Sequence, residues 1–224
     1  MGRVSWRSES YEIREKLIKG NKMTMDVEFH YDFGSPNSYL SHRVIPLIEK
    51  RTGVKFKYVP ILLGGVFKST NNKSPMEQFA EVKNKKEYFA RETERFIEIH
   101  HISKYARNSH FPVNTLHIMR GACYAKGKDF EVDYIEAMYQ CMWERGLKMD
   151  DPSVIDTALK EYELPAAEII TGSQDPEIKK ILIDSSSYSV ERGNFGSPTF
   201  FVGEEMFFGK DRLRDVEEEI LRLQ

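Results

Sequence analysis

The chain has 224 residues, 40% of them hydrophobic and 12% aromatic, enough apolar material for one sizeable core or two small linked ones. Its 33 Lys plus Arg against 35 Asp plus Glu give a formal net charge of −2, so no global positive field gathers nucleic acid or an anionic membrane, and a small molecule or a protein is the expected partner. No apolar run approaches the roughly 18–20 residues that span a bilayer and no secretory leader pattern opens the chain, so a cytoplasmic protein is expected; the two cysteines, Cys123 and Cys141, are too far apart for a Cys-x-x-Cys motif, so any thiol chemistry must bring its sulfur from outside.

In chain order, residues 1–25 form a polar, mostly basic extension to which no function is assigned. Val27 to Phe33 alternates apolar and polar residues with the period of a strand. Gly34 and Ser35 interrupt it, and Ser35 is placed as the N-cap of a helix whose first residue is Pro36 and which runs to about Arg51. Lys55 to Leu62 alternates again, with Pro60 marking a strand end or edge. This β-α-β opening implies a parallel pair with a crossover helix.

From about Ser74 to Arg192 the spacing is helical and no comparable strand is found. Helices are expected over Glu77 to His100 (one long or two short), Asn114 to Lys126, Phe130 to Arg145 and Pro152 to Tyr162, with a turn around Pro112. Strands return at Thr199 to Val202 and Glu205 to Phe208, before a last helix from Asp211 to Leu223. The fold class expected is α/β: a thioredoxin-like domain formed by residues 26–73 and 193–224, into which an all-helical domain, residues 74–192, is inserted.

Two motifs bear on chemistry. Asp32-Phe-Gly-Ser-Pro-Asn-Ser-Tyr-Leu40 delivers a hydroxyl at the end of a strand and the N-terminus of a helix, where free N–H groups and the positive end of the dipole favour an anion such as a thiolate. A simple N-cap is the alternative. In Gly193-Asn-Phe-Gly-Ser-Pro-Thr-Phe-Phe-Val202, Pro198 directly precedes a strand; a trans bond would open an edge strand, whereas a cis bond would turn the Ser197 backbone toward a bound peptide. On a thioredoxin-like layout facing Ser35, cis is the expectation. The six histidines show no ligand spacing, and no metal site is expected.

Together with Leu63-Gly-Gly-Val-Phe-Lys-Ser-Thr-Asn-Asn72, Phe111-Pro-Val-Asn-Thr115 and Phe208-Gly-Lys-Asp-Arg-Leu213, these motifs make the chain from about Asp26 onward resemble the 2-hydroxychromene-2-carboxylate isomerase family and its kappa-class glutathione transferase relatives, in the DsbA-like branch of thioredoxin folds. The resemblance implies glutathione as cofactor and Ser35 as the residue that activates its sulfur. It places Pro36 and Asn37 in the same pocket, Asn72 against the tripeptide, Ser197 beside the cis Pro198 on the cysteinyl backbone, and Lys210 and Asp211 at the γ-glutamyl end with Arg212 as a helper. Residue 71 departs from the family pattern, being Asn where Gly is usual. Lys68 is assigned to the carboxylate of the second substrate, with Phe67, Phe111 and Asn114 as candidates to complete that pocket. A homodimer is implied. An isomerase is the leading reading and a kappa-type transferase or peroxidase its rival; a dithiol oxidant is excluded by serine at position 35, and a non-catalytic peptide-binding module stays open.

Overall fold

A computed structural model describes residues 25–224; the polar extension lies outside the described residues except for Met25. Strand β1 (Val27–Tyr31) is buried along its whole length because it is central in a sheet of order β2-β1-β3-β4. It pairs in parallel with β2 (Phe56–Pro60) and antiparallel with β3 (Thr199–Val202), which pairs antiparallel with β4 (Glu205–Phe208). That register lines Phe29 up with Tyr58 on one side and Phe200 on the other, at ring separations of 5.0 and 5.3 Å. Apolar packing thus fixes which residues pair.

The crossover helix α1 (Pro36–Thr52) starts where the sequence expects it, with Ser35 as N-cap and Pro36 in the first turn. Gly53 ends it in the left-handed conformation, φ 74°, and Lys50 and Arg51 complement the dipole in the last turn. Next comes α2 (Leu63–Thr70), which the sequence reading did not place: its Gly64-Gly65 step is the poorest helix-forming dipeptide apart from proline. The expected Glu77–His100 helix divides into a short α3 (Pro75–Gln78), closed by a Ser74/Glu77 capping box, and α4 (Lys85–His100). The remaining helices are α5 (Leu116–Ala125), α6 (Glu131–Trp143), α7 (Pro152–Glu161), α8 (Ala166–Gly172), α9 (Pro176–Glu191) and α10 (Leu213–Leu223). Residues Lys210–Arg212 form a 3-10 turn, so the last helix begins two residues later than expected.

Helices α8 and α9 fall in the stretch expected to be helical, although no bounds were assigned there. Ser185, Ser186, Ser187 and Ser189 lower the helical propensity of α9. In the fold two of those hydroxyls face the sheet end: Ser185 donates to Pro60 O at 2.7 Å, and Ser186 accepts from Leu62 N at 2.9 Å. Helix α9 lies in the segment assigned to the insert, yet it covers the Glu28/His30 face of the sheet. One hydrophobic cluster runs through both parts, from Phe29, Tyr31, Ile45 and Val216 to Tyr134, Tyr139 and Trp143.

Candidate active site

The turn from β1 into α1 is built around a buried carboxylate. Asp32 Oδ1 accepts from Gly34 N at 2.8 Å and from the Thr115 hydroxyl at 2.7 Å, while Oδ2 accepts from Leu63 N at 2.7 Å. Burial pushes its pKa above the usual carboxylate value and the three donors push back. One side chain therefore ties together the first loop, the start of α2 and the approach to α5. From the insert, Trp143 Nε1 donates to Phe33 O at 2.7 Å. The loop bearing Ser35 is thus held from both parts of the chain.

Ser35 is 4% exposed. Its Oγ caps α1 by accepting from Ser38 N at 3.2 Å and donates to Ser197 O at 2.8 Å. Ser197 is secured further: its Oγ accepts from Asp32 N at 3.1 Å and shares a 2.8 Å hydrogen bond with Ser38 Oγ. The Ser197-Pro198 bond is cis, as expected from the layout, and a second cis bond, Phe111-Pro112, lies in the loop before α5. Gly196 has no room for a side chain, since a Cβ there would come 2.6 Å from the Phe208 ring. Among the described residues the Ser197 N–H has no acceptor, and the first turn of α1 carries no acidic residue. A ligand here meets a hydroxyl, a free amide and a helix N-terminus with no competing negative charge in that turn.

The other expected site residues divide into two groups. Asn72 reaches the cis-proline loop, its Nδ2 donating to Phe195 O at 2.9 Å, and the preceding Asn71 takes the left-handed conformation (φ 53°) that glycine would otherwise supply. Gly209 N donates to Pro198 O at 2.9 Å, which brings residues 209–211 alongside. Pro36 and Asn37 begin α1 beside Ser35. By contrast, Lys210 is buried with its ammonium 4.8 Å from the Phe96 ring centroid and paired with Asp211, so it points into the protein. Arg212 pairs with Asp215 at 3.0 Å, one turn into the last helix. Lys68 is exposed on α2 with no ionic partner among the described residues; Phe67 is half-buried beside it. Phe111 stands 5.9 Å from the Trp143 ring, and the Asn114 side chain caps Leu116 N at 3.1 Å.

A family model described as the DSBA-like thioredoxin domain matches residues 26–221. The chain belongs to this DsbA-like family. Among curated proteins it is 27% identical over 201 residues to 2-hydroxychromene-2-carboxylate isomerase of Sphingobium xenophagum, covering 89% of this chain and all of that protein. It is 26% identical to the isomerase of Pseudomonas putida, covering 89% and 96%. Against glutathione S-transferase kappa 1 of Caenorhabditis elegans the identity is 24%, covering 83% and 86%. A solved 2-hydroxychromene-2-carboxylate isomerase superposes with a TM-score of 0.77 at 23% identity, over 89% of this chain and 96% of that one. A probable DsbA oxidoreductase of Streptomyces coelicolor superposes at 0.66 and 13% identity, over 89% of each chain. These likenesses establish the DsbA-like fold.

In this DsbA-like chain no cysteine stands at the head of α1; Cys123 and Cys141 are buried in α5 and α6, their thiols pushed up to about 12 and about 11 by burial. Two residues that organise the site escaped the sequence reading, Met119 and Trp143, and a third, Thr115, ended one of the motifs without a role of its own. Met119 Sδ accepts from Phe33 N at 3.4 Å, and nothing in the local pattern of an apolar helix distinguishes it from a packing residue. Asp32 stood inside a quoted motif, but its partners Leu63 and Thr115 lie far along the chain. Among the described residues no group of three His, Cys, Asp or Glu side chains is arranged to hold a metal ion, and no helix is long and apolar enough to cross a membrane.

Proposed function

We propose that this chain is a glutathione-dependent isomerase acting on an aromatic, carboxylate-bearing substrate of the 2-hydroxychromene-2-carboxylate type. The observation that carries the reading is the Ser35 hydroxyl, poised between the N-terminus of α1 and the carbonyl of Ser197. The residues present fit the tripeptide: a free Ser197 amide for the cysteinyl backbone, a helix N-terminus without acidic neighbours for the thiolate, and an exposed Asp211 carboxylate for the γ-glutamyl ammonium.

Glutathione, when bound there, supplies a thiol that adds to a conjugated double bond and leaves again, allowing rotation about that bond in between. The thiol's ordinary pKa of about 8.5 leaves it mostly protonated at neutral pH, so the protein's task is to favour the anion. Ser35 does this by turning its proton from Ser197 O toward the sulfur while its Oγ keeps Ser38 N capped. The N-terminus of α1 adds its partial positive charge. Lys68, exposed and without an ionic partner among the described residues, receives the substrate carboxylate. Lys210 keeps Asp211 oriented, and Pro36, Asn37 and Asn72 shape the pocket wall.

The test is turnover with a chromene carboxylate and, separately, with chlorodinitrobenzene, each with and without glutathione. Isomerisation that requires glutathione but does not consume it supports the reading. Consumption of glutathione with chlorodinitrobenzene alone favours a kappa-type transferase, the second reading, to which the similarity to the nematode enzyme points. No glutathione-dependent turnover of either substrate contradicts both.

A further inference from the structure

Behind the sheet, a buried line of hydrogen bonds ends at the cis-proline loop. Glu28 Oε2 meets His30 Nε2 at 3.0 Å, His30 Nδ1 meets Ser189 Oγ at 2.7 Å, Asn194 Nδ2 donates to Ser189 Oγ at 2.6 Å, and Asn194 Oδ1 accepts from Gly196 N at 2.8 Å and Thr199 Oγ1 at 2.7 Å. His30, Ser189 and Thr199 are 0% exposed and Asn194 1%. Uncompensated polar groups so deep are costly, so each member needs its partner.

The line has one self-consistent direction. The hydrogen bond from His30 and the ammonium of Lys57 hold the Glu28 pKa at about 2, so Glu28 only accepts and His30 Nε2 carries the proton. Burial keeps His30 neutral, leaving Nδ1 to accept the Ser189 proton. Ser189 Oγ then has a lone pair for Asn194 Nδ2, which sets the amide so that Oδ1, not Nδ2, faces the Gly196 N–H. Arg192 closes the outer end, bridging Glu28 to Gly203 O at 2.6 Å. The Phe195–Gly196 peptide is therefore fixed from the sheet side by its N–H, and Thr199 Oγ1, 3.1 Å from Gly196 O, extends the hold to the peptide before Ser197, as Ser35, Ser38 and Asp32 fix Ser197 from the helix side.

We infer that His30, Ser189 and Asn194 are positioning residues that hold the Phe195–Gly196 peptide through its N–H and, through Thr199, the adjoining Gly196–Ser197 peptide, so that the latter is oriented for the backbone of glutathione. The inference rests on the glutathione reading above, and its test includes a readout independent of that ligand.

The experiment measures glutathione dissociation constants by calorimetry and amide hydrogen exchange at Gly196 and Ser197, for wild type and Ser189→Ala. Ser185→Ala is the control, because it removes a hydroxyl from the same helix whose recipient is Pro60 O rather than the loop. Loss of one buried hydrogen bond corresponds to about a tenfold change in an equilibrium constant. Ser189→Ala is expected to weaken glutathione binding about tenfold, to speed Gly196 exchange by a similar factor, and to raise KM for glutathione while leaving kcat at saturation. Ser185→Ala is expected to do none of these. His30→Asn, which keeps an acceptor near the Nδ1 position, is expected to stay closer to wild type than Ser189→Ala in Gly196 exchange. A folded Ser189→Ala protein with wild-type affinity and wild-type exchange overturns the inference. Should Ser189→Ala fail to fold, Ser189→Cys weakens both hydrogen bonds at nearly constant volume and decides the matter by the same two readouts. If wild type binds no glutathione, the functional reading fails and the ligand named in the inference falls with it; Gly196 exchange then decides the positioning role alone, faster exchange in the variant sustaining it and unchanged exchange overturning it.

Discussion

Asp32 shows how one carboxylate can set a site it does not occupy. Both of its oxygens accept, Oδ1 from Gly34 and Thr115 and Oδ2 from Leu63, so Asp32→Asn must aim an amide NH2 at one of these donors. A buried donor left without an acceptor costs about 1–3 kcal/mol. The expected result is a fall in Tm of roughly 3–10 °C for a chain of this size, read by calorimetry, together with weaker glutathione binding as the Ser35 loop loosens. Unchanged Tm and affinity would mean the three hydrogen bonds are not worth their geometry. Ser35 was legible in the sequence as an N-cap because strand, cap, proline and helix follow one another within a few residues and local rules govern each step; the cis bond at Ser197-Pro198 was expected only from the thioredoxin-like layout that sets it against Ser35. The burial of Lys210 was not, since it depends on Phe96 in the distant α4. Ser35→Ala also has a stability cost, because Ser197 O loses its donor and Ser38 N loses its side-chain cap, keeping only its hydrogen bond to Ser35 O at 3.1 Å; about 1–2 kcal/mol is expected by denaturant unfolding.

Between elements, α1 and α6 are joined by a polar brace. Arg43 reaches Glu136 at 2.7 Å and Glu144 at 2.5 Å, Tyr39 donates its hydroxyl to Glu144 at 3.0 Å, and His42 lies between the Tyr58 hydroxyl at 2.8 Å and Glu136 at 2.9 Å. Burial alone would raise the pKa of Glu136; the hydrogen bonds from His42, Arg43 and Gln140 outweigh it and bring it to about 2. A carboxylate depressed in the folded state contributes stability that is complete above its unfolded value of 4.5 and is lost as pH falls toward about 2. With the side chain 34% exposed, screening leaves about 1–2 kcal/mol of this. Urea unfolding from pH 6 down to pH 2 is expected to show the loss, and Glu136→Gln to flatten that limb; an equally steep limb in the variant would contradict the assignment. The same scale explains the helices that the sequence did not delimit. Gly64-Gly65 in α2 is a poor helix former locally and the serines of α9 lower its propensity, and contacts that support both helices, Leu63 to Asp32 and Ser185 and Ser186 to the end of β2, are tertiary.

Over the whole molecule, the shared core means that insert and thioredoxin part melt together, and it decides the fate of the chain's own sulfur. Cys123 and Cys141 sit inside that core with thiols raised by burial, so neither is a nucleophile at neutral pH. An aromatic disulfide reagent is expected to titrate no thiol in the native protein and both in urea; rapid native labelling would show that the helical part opens. The β-α-β start and β-β-α finish were readable because strand periodicity is local, which carried the overall plan. What joins the two halves, Trp143 to Phe33 and Thr115 to Asp32, is readable only in three dimensions.

The central claim is that Ser35 and the N-terminus of α1 hold glutathione as a thiolate. Ultraviolet absorbance of the bound thiolate, titrated with pH for wild type and Ser35→Ala with binding followed by calorimetry, tests it most directly. The account predicts a thiolate band that persists well below pH 8.5 in wild type and shifts upward in the variant by at least about one pH unit, the equivalent of one charge-assisted hydrogen bond. A bound thiol that titrates identically in both proteins, or the absence of glutathione binding to wild type, would contradict it.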